Sequence, residues 1–427
     1  FRNVSGTVTP NELHVDAKGG DLEVIEATGT ASGAAHIKAT LAGEGLCRLT
    51  VEDPTSGLRG ESNPIRCGAE PQKRVYWGDF HVHCNFSDGV RTIEHLYDYG
   101  EHIAGLDVCG ASDHSPMMSD TMWARNVEFV KERYRSGQFV TLLGFEWATP
   151  GTGHRCVYSR DDRLALERVR SLAELRQNLD RQRAEGREVL VIPHHMLTST
   201  AQYAPERPDT ERLMEVYSQW GNSEVRGNPK RPLSHWDPET KDRGRSAQEI
   251  LLADGRLGMI GGSDNHDARP GMTGAGAYDI VGLRVRSIYR TLGHPGGLAG
   301  IYAPELTREA IFDGLAARQC YATTGERILL EFAVDGALMG TEVQAQKTQA
   351  PRTITAWVAG TAPLARLVVL RNAEEVYELT PDGDTGEVSL SWEDESALDA
   401  PATFYYLRVE QTDGEMAWSS PVWFARE

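Results

Sequence analysis

The feature that most constrains the fold of this chain is a series of apolar, strand-like segments in its middle part. The seven segments end at His83, His114, Glu146, Tyr158, His195, Gly221 and His266. Helix-like segments separate several of them, at residues 92–104, 123–135, 172–185 and 247–254. Strands that alternate with helices predict parallel βα units and a barrel, although the connection between the third and fourth strands is too short for a helix. In such barrels the working residues lie at the carboxyl ends of the strands.

Two histidines, His81 and His83, close the first of these strands. Side chains two residues apart on a strand point to the same face, so both imidazoles can converge on one point. Asp264 and His266 repeat this spacing at the end of the seventh strand. A single His-x-His pair also occurs on ordinary solvated surfaces, but its recurrence at strand ends favours a metal ion.

Further candidate ligands lie at or next to the other strand ends. Glu146 closes a strand so apolar that its carboxylate would be poorly solvated unless it met a cation. The remaining candidates are Asp88, His114, His154 and His194. Imidazole combined with carboxylate suits Zn²⁺, Mn²⁺ or Fe²⁺, and carboxylates can bridge neighbouring ions. The set exceeds what one tetrahedral site can use, so we predict a cluster of two or three divalent ions, for which the cysteines are not needed as ligands.

The two flanks of this zone have a different rhythm, with short alternating runs broken by Gly, Pro and Asp. This pattern is typical of antiparallel β-structure. We therefore predict an N-terminal β domain over residues 1–72, the metal-dependent α/β barrel over 73–326 and a C-terminal β-sandwich over 327–427. The C-terminal flank carries no cluster of catalytic residue types, which indicates structural support.

Composition limits the classes of partner. The net charge of −18 over 427 residues argues against a nucleic-acid partner, because a phosphate backbone requires a basic surface. No apolar run approaches the length of a membrane span, so we expect no membrane partner. We expect the substrate to be a small anion. Six cysteines in so long a chain do not form a disulfide framework, which favours a reducing, cytoplasmic compartment. Cys47 and Cys67 could pair if the protein were exported, and the sequence leaves the oligomeric state open.

Seven short motifs follow one another in the middle zone: His81-x-His83, Ser87-Asp88-Gly89, Ser112-Asp113-His114, Glu146, His154, Pro193-His194 and Asp264-x-His266. This ordered set resembles the polymerase and histidinol phosphatase (PHP) superfamily. Further stretches are similar to its DUF3604 branch, namely Trp77-Gly78-Asp79, residues 217–224 and Tyr321-Ala322-Thr323-Thr324-Gly325. The resemblance implies a distorted (β/α)7 barrel with β-rich flanks, which holds up to three metal ions and hydrolyses phosphate esters.

The resemblance also assigns the candidate ligands to three ions. The first ion would take His81, His83, Glu146 and Asp264. The second would take Asp88, His114 and His266. The third would share Glu146 and add His154 and His194. The motif Pro193-His194-His195 departs from the commoner Ala-His-Pro, so either histidine could be the ligand, and the other, assigned as His195, would be free for acid–base catalysis.

Together these inferences predict a metal-dependent hydrolase of small phosphate or related anionic esters, in which the ions make hydroxide available at neutral pH. Arg155, as a catalytic residue, and Arg269, as a substrate-binding residue, are the candidate anion ligands, because a guanidinium can bind two oxygens at once. Glu224 could bind substrate or fix the loop that follows it. Two alternatives stay open: the same metal chemistry on carboxylic ester, lactone, amide or sulfate ester bonds, and a non-catalytic, metal-organised binding module.

Overall fold

A computed structural model of the protein shows a mixed α/β chain that is rich in β-sheet. The structure describes residues 13–29, 35–68, 73–149, 153–194, 196–197, 209–232, 244–272, 294–345, 351–396 and 402–426. Within these ranges it contains 27 strands and five helices, so the α/β class is confirmed. No helix in the described ranges is long and apolar enough to cross a lipid bilayer.

The N-terminal segment consists of small antiparallel sheets, in agreement with the β-structure predicted for it. Its strands are β1 (His14–Lys18), β2 (Asp21–Gly29), β3 (Ala35–Ala42), β4 (Gly45–Asp53), β5 (Leu58–Glu61) and β6 (Ile65–Cys67). Strand β4 pairs with β1, β5 and β6, whereas β2 and β3 pair with each other. Cys47 and Cys67 lie on the paired strands β4 and β6, and both are free thiols.

The middle of the chain carries the elements that hold the candidate ligands. Its strands are β7 (Arg74–Asp79), β8 (Val108–Cys109), β9 (Val140–Thr141), β10 (Leu143–Ala148), β11 (His154–Ser159), β12 (Val189–His194), β13 (Leu213–Ser218), β14 (Gly221–Asn222), β15 (Gly258–Gly261), β16 (Leu298–Ala303) and β17 (Cys320–Thr323). Its helices are α1 (Ile93–His102), α2 (Asp120–Arg133), α3 (Leu172–Ala184), α4 (Ala247–Leu252) and α5 (Arg308–Ala316). The first four helices match the helical segments predicted from the sequence to within a few residues.

Each of these five helices begins at a serine or threonine whose side-chain oxygen accepts a hydrogen bond from the backbone N–H three residues further on. These N-caps are Thr92, Ser119, Ser171, Ser246 and Thr307. In α3 and α4 a glutamate, Glu174 or Glu249, also accepts a hydrogen bond from the backbone N–H of the cap. Such reciprocal bonds satisfy donors that the first helical turn leaves unpaired, so local sequence determines where these helices start.

The pairing of the middle strands differs from a uniform series of parallel βα units. Strands β7, β8 and β9 are parallel, and β13 is parallel to β15. Strand β11, however, runs antiparallel to both β10 and β12, so the prediction of parallel units is wrong here. The physical reason is length: residues 149–153 join β10 to β11, and a parallel crossover needs about a dozen residues or more. The described pairings place these strands in three sheets.

All the regular secondary structure in the described residues of the C-terminal part is β-strand. Its strands are β18 (Leu329–Val334), β19 (Ala337–Leu338), β20 (Glu342–Ala345), β21 (Arg352–Ala359), β22 (Leu364–Arg371), β23 (Glu374–Leu379), β24 (Glu387–Asp394), β25 (Ala402–Gln411), β26 (Met416–Ser419) and β27 (Val422–Arg426). Strand β26 pairs with β17, so one sheet runs from β9 through β7, β16 and β17 into β26, β25 and β27. Because hydrogen bonding continues across residue 326, the domain boundaries at 72 and 326 stay predictions.

Candidate metal centre

The segments that follow β7 and β15 lie side by side and carry the two pairs of predicted ligands with a spacing of two. The backbone N–H of Asp264 donates to the carbonyl oxygen of His81 at 2.7 Å, and that of His83 donates to the carbonyl oxygen of Asn265 at 2.9 Å. These bonds extend parallel pairing beyond the ends of the strands, with Val82 opposite Asn265. The short ladder therefore brings the two pairs of side chains towards one another.

His154 opens β11, yet it lies at the same sheet edge as the residues that close β10 and β12. Because β11 is antiparallel to both neighbours, His154 stands opposite Ala148 on one side and His194 on the other. Glu146 precedes Ala148 by two residues and shares its face. The reversed direction of β11 is thus what brings Glu146, His154 and His194 together.

The first ligand set consists of His81, His83, Glu146 and Asp264, the four residues predicted for the first ion. Nε2 of His81 lies 3.3 Å from Oε2 of Glu146 and 3.4 Å from Oδ1 of Asp264. Nε2 of His83 lies 3.2 Å from each of the same two oxygens. Two ligand atoms on one tetrahedral ion, with bonds near 2.1 Å, stand about 3.4 Å apart. The four near-equal separations therefore fit ligands arranged around a single ion.

The second ligand set contains the predicted residues Asp88, His114 and His266, and the structure adds His83 to them. Oδ1 of Asp88 lies 3.6 Å from Nε2 of His114, and Oδ2 lies 3.5 Å from Nε2 of His266. The rings of His83 and His266 stack at a centroid distance of 4.1 Å. Asp88 is 40% exposed, so this set forms the solvent-facing side of the cluster.

The third ligand set is Glu146, His154 and His194, the three residues predicted for the third ion. Oε1 of Glu146 lies 2.7 Å from Nδ1 of His154 and 3.1 Å from Nε2 of His194. The other oxygen of Glu146 belongs to the first set, so this carboxylate spans two candidate positions as a bridging ligand would. His195 lies outside the described residues.

Burial and neighbouring charges set the protonation of the cluster. Burial disfavours a charged His83, but the carboxylates of Asp264 and Glu146 outweigh it and raise the pKa of His83 to about 10. Burial lowers the pKa of His114 to about 4. Burial alone would raise the pKa of Glu146, yet the surrounding histidines, His114 first among them, hold it well below its usual range. Metal ligands must be deprotonated, so an ion bound here would displace protons that the metal-free cluster shares.

Two buried carboxylates that sequence reasoning missed hold the first set in place. Oε2 of Glu215, on β13, lies 2.7 Å from Nδ1 of His81 and leaves Nε2 of that ring directed at the first set. Asp79 accepts hydrogen bonds from the backbone N–H groups of Ser263 and Gly271, which ties the end of β7 to the segment after β15. The apolar run around Glu215 is the same signal that pointed to Glu146, so it could have been found from the sequence.

Asp113 directly precedes the candidate ligand His114 in the sequence. In the structure its carboxylate accepts hydrogen bonds from the backbone N–H of Cys84 and the hydroxyl of Ser87. The thiol of Cys84 also donates to it, at 3.0 Å. Asp113 therefore fixes the turn that leads from His83 to Asp88.

Arg155 and Glu224 have partners outside the three ligand sets. Arg155 is fully buried on β11, one residue from His154 and hence on the opposite face, and its Nε lies 3.6 Å from Oε1 of Glu211. Oε1 of the buried Glu224 accepts hydrogen bonds from the Tyr406 hydroxyl at 2.8 Å and from Arg408 at 3.1 Å. These contacts tie Glu224 to β25 of the C-terminal sheet, a role that sequence reasoning missed. The catalytic and substrate-binding roles of the two residues stay predictions.

Arg269 follows the ligand His266 by three residues and shares a carboxylate with a second arginine. Nε of Arg269 and Nη1 of Arg91 each lie 3.5 Å from Oδ2 of Asp267. Arg91 in turn follows the ligand Asp88 by three residues, and sequence reasoning missed it. Two guanidinium groups facing one carboxylate leave a net positive charge beside the solvent-facing second set. This is an arrangement that can attract an anion.

The protein combines a sheet-rich α/β fold with a buried cluster of imidazoles and carboxylates, which is a candidate site for several metal ions. The chain belongs to the DUF3604 family, which is described as a family of unknown function. The family model matches residues 101–240 and 255–366, which is more than half of the 427 residues. The predicted membership of this family is confirmed.

Relatives extend over most of the chain. An uncharacterized protein of Chlamydia pneumoniae is 27% identical over 418 residues, and one of Chlamydia trachomatis serovar D is 25% identical over 409 residues. Each match covers 89% of this chain but 62% of the relative, so the chain spans less than two thirds of the length of these curated relatives. A crystal structure from Bacteroides vulgatus, of a two-domain protein containing a predicted PHP-like metal-dependent phosphoesterase, is similar over 81% of this chain and 94% of its own. Its sequence identity is 13% and its TM-score 0.41.

Proposed function

We propose that this protein is a metal-dependent hydrolase that uses two or three divalent ions, Zn²⁺, Mn²⁺ or Fe²⁺, to cleave small phosphate or related anionic esters. One observation carries the proposal: the imidazoles and carboxylates of three overlapping ligand sets gather from separate parts of the chain into one cluster. Glu146 contributes to two of the sets, which suits neighbouring ions. When bound, such ions would supply hydroxide at neutral pH by lowering the pKa of water.

The residues of the chain divide the remaining work. Asp88, at the solvent-facing side, marks where substrate would approach. Arg91 and Arg269 would bind the anionic group and neutralise charge that develops on it, a task suited to guanidinium because it can donate two parallel hydrogen bonds. Glu215 and Asp79 keep the ligands in position, so that little reorganisation is needed when substrate binds.

We further propose that the middle strands enclose the site as a distorted (β/α)7 barrel of PHP type, with the β-rich flanks at residues 1–72 and 327–427 as separate domains. The ligands follow β7, β8 and β15 and close β10 and β12, so five strand ends converge on one region. Convergence of strand ends is what a ring of strands produces, and in βα barrels active sites lie at that face. The antiparallel β11 is the distortion.

The experiment is a hydrolysis screen on protein stripped by chelation and reloaded with Zn²⁺, Mn²⁺ or Fe²⁺ in turn. Phosphate monoesters, phosphate diesters, sulfate esters and carboxylic esters are offered, and bound metal is measured by elemental analysis. We expect turnover of a phosphate ester only in the reloaded protein. Activity that persists in the stripped protein would contradict the proposal, and bound ions with no turnover of any ester would favour a binding module.

A double variant, His81→Ala with His83→Ala, tests the same claim through the ligands. It should lose bound metal and turnover together, because both side chains belong to the first set. His102→Ala is the matched control, since His102 lies at the end of α1 and is 40% exposed. Unchanged metal content in the double variant would contradict the ligand assignment.

A further inference from the structure

A buried thiol lies beside the candidate ligands and belongs to none of the three sets. Cys156, on β11, stands opposite Glu146 on β10 and two residues from His154, so all three share one face. Sγ of Cys156 lies 3.9 Å from Nδ1 of His194. The Cys156 sulfur, one ring nitrogen of His194 and one ring nitrogen of His81 lie within 4.8 Å of one another, and all three side chains are buried.

The separations suit metal coordination. A sulfur at 2.3 Å and a nitrogen at 2.1 Å from one tetrahedral Zn²⁺ stand about 3.6 Å apart, close to the observed distance between Cys156 and His194. His194 presents its two nitrogens to different partners: Nε2 lies 3.1 Å from Oε1 of Glu146, whereas Nδ1 faces the thiol. His194 thus stands between the third set and Cys156.

The other thiols of the middle zone have different surroundings. Cys84 donates to the carboxylate of Asp113, and Cys109 packs against the apolar residues beneath α1. Sγ of Cys320 lies 3.9 Å from the hydroxyl of Ser420. Among the described residues, Cys156 is the cysteine that the structure groups with imidazoles at ligand distances.

We propose that Cys156, His81 and His194 form a fourth ligand set, the thiol set, which binds a thiophilic divalent ion such as Zn²⁺ or Cd²⁺ in preference to Mn²⁺. This proposal rests on the proposed metal centre, and it specifies which kind of ion one part of that centre prefers. On binding, the thiol loses its proton to solvent, and one metal–sulfur bond forms as the S–H bond breaks. Thiolate is a soft ligand, whereas carboxylate and imidazole alone also accept harder ions. An ion bound by the thiol set would use one nitrogen each of His81 and His194, which also belong to the first and third sets. The identity of the ion would therefore change which ligand sets can be occupied at the same time.

The test uses the whole stripped chain titrated with Cd²⁺ or Co²⁺, with thiolate-to-metal charge-transfer absorption as the readout and elemental analysis for stoichiometry. We expect the charge-transfer band in the unaltered protein and its loss in Cys156→Ala. The matched control Cys109→Ala, another buried thiol, should keep the band. In competition between the two ions, the ratio of the Zn²⁺ affinity to the Mn²⁺ affinity should be about tenfold or more lower in Cys156→Ala than in the unaltered protein.

Each outcome decides the matter. Ions that bind without the band, or a band that persists in Cys156→Ala, would overturn the thiol set and leave the other three sets standing. Failure of every ion to bind the unaltered protein would overturn both this proposal and the proposed metal centre. If Cys156→Ala does not fold, Cys156→Ser replaces it, because serine nearly keeps the size of the side chain and cannot give a thiolate-to-metal band.

Discussion

Replacing Glu215 by Gln should weaken the binding of one ion of the cluster and leave the binding of the others nearly unchanged. The Glu215 carboxylate lies 2.7 Å from Nδ1 of His81 and keeps Nε2 of that ring directed at the first ligand set. Gln keeps the size and an accepting oxygen but removes the charge that makes the ring a stronger ligand. Loss of such a supporting carboxylate typically reduces metal affinity 10- to 100-fold, or about 1.4 to 2.7 kcal/mol.

The assay is competition between stripped protein and a chelator of known affinity, resolved into successive binding steps. One step should weaken by the stated factor, while the step assigned to the second set, which does not contain His81, should change less than about twofold. Glu211→Gln is the control, because Glu211 is also buried but pairs with Arg155 and Arg176. Equal weakening of every step, or no weakening, would refute the reasoning.

A steric variant approaches the same contact without removing charge. A Cβ atom at Gly262 would stand 2.5 Å from Oε2 of Glu215 and 2.9 Å from Cβ of His81. Gly262→Ala must therefore displace one of these side chains, and it should reproduce the selective loss of one ion. Normal affinity in the competition assay would show that the contact between Glu215 and His81 tolerates displacement.

Three further predictions concern protons, charge and stability. The pKa of His83 is raised to about 10 and that of His81 is also raised, so an ion bound by the first set must displace protons. Metal affinity should therefore rise at least about tenfold for each pH unit below that value, and calorimetry in buffers of different ionisation heat should detect proton release. Arg269→Ala, alone or with Arg91→Ala, should reduce kcat/KM for anionic esters at least about tenfold and leave kcat/KM for neutral esters nearly unchanged. Equal losses of kcat/KM for both classes of ester would argue against an anion-binding role. Glu224→Ala leaves the buried Arg408 without one of its carboxylates, so it should lower the free energy of unfolding by about 3 kcal/mol in urea titrations. A fall in kcat/KM at unchanged stability would instead support a role of Glu224 in substrate binding.

Much of the candidate site could be predicted because its signals are local. A spacing of two on a strand places His81 with His83 on one face whatever the rest of the chain does. The starts of the first four helices were equally accessible, since an N-cap such as Ser171 or Ser246 satisfies donors within the next three residues. Glu146 was recognisable because an unpaired carboxylate is costly inside an apolar segment.

The sequence by itself therefore determined which residue types stand at which strand ends, and with them the metal-ligand chemistry. The tertiary structure decided what local patterns cannot encode: that β11 runs antiparallel and carries His154 to the edge shared by β10 and β12, and that Glu224 faces the C-terminal sheet. Strand direction and the partners of a buried charge depend on residues distant in the chain. Their energies arise only when those segments pack together, so no window of sequence contains them.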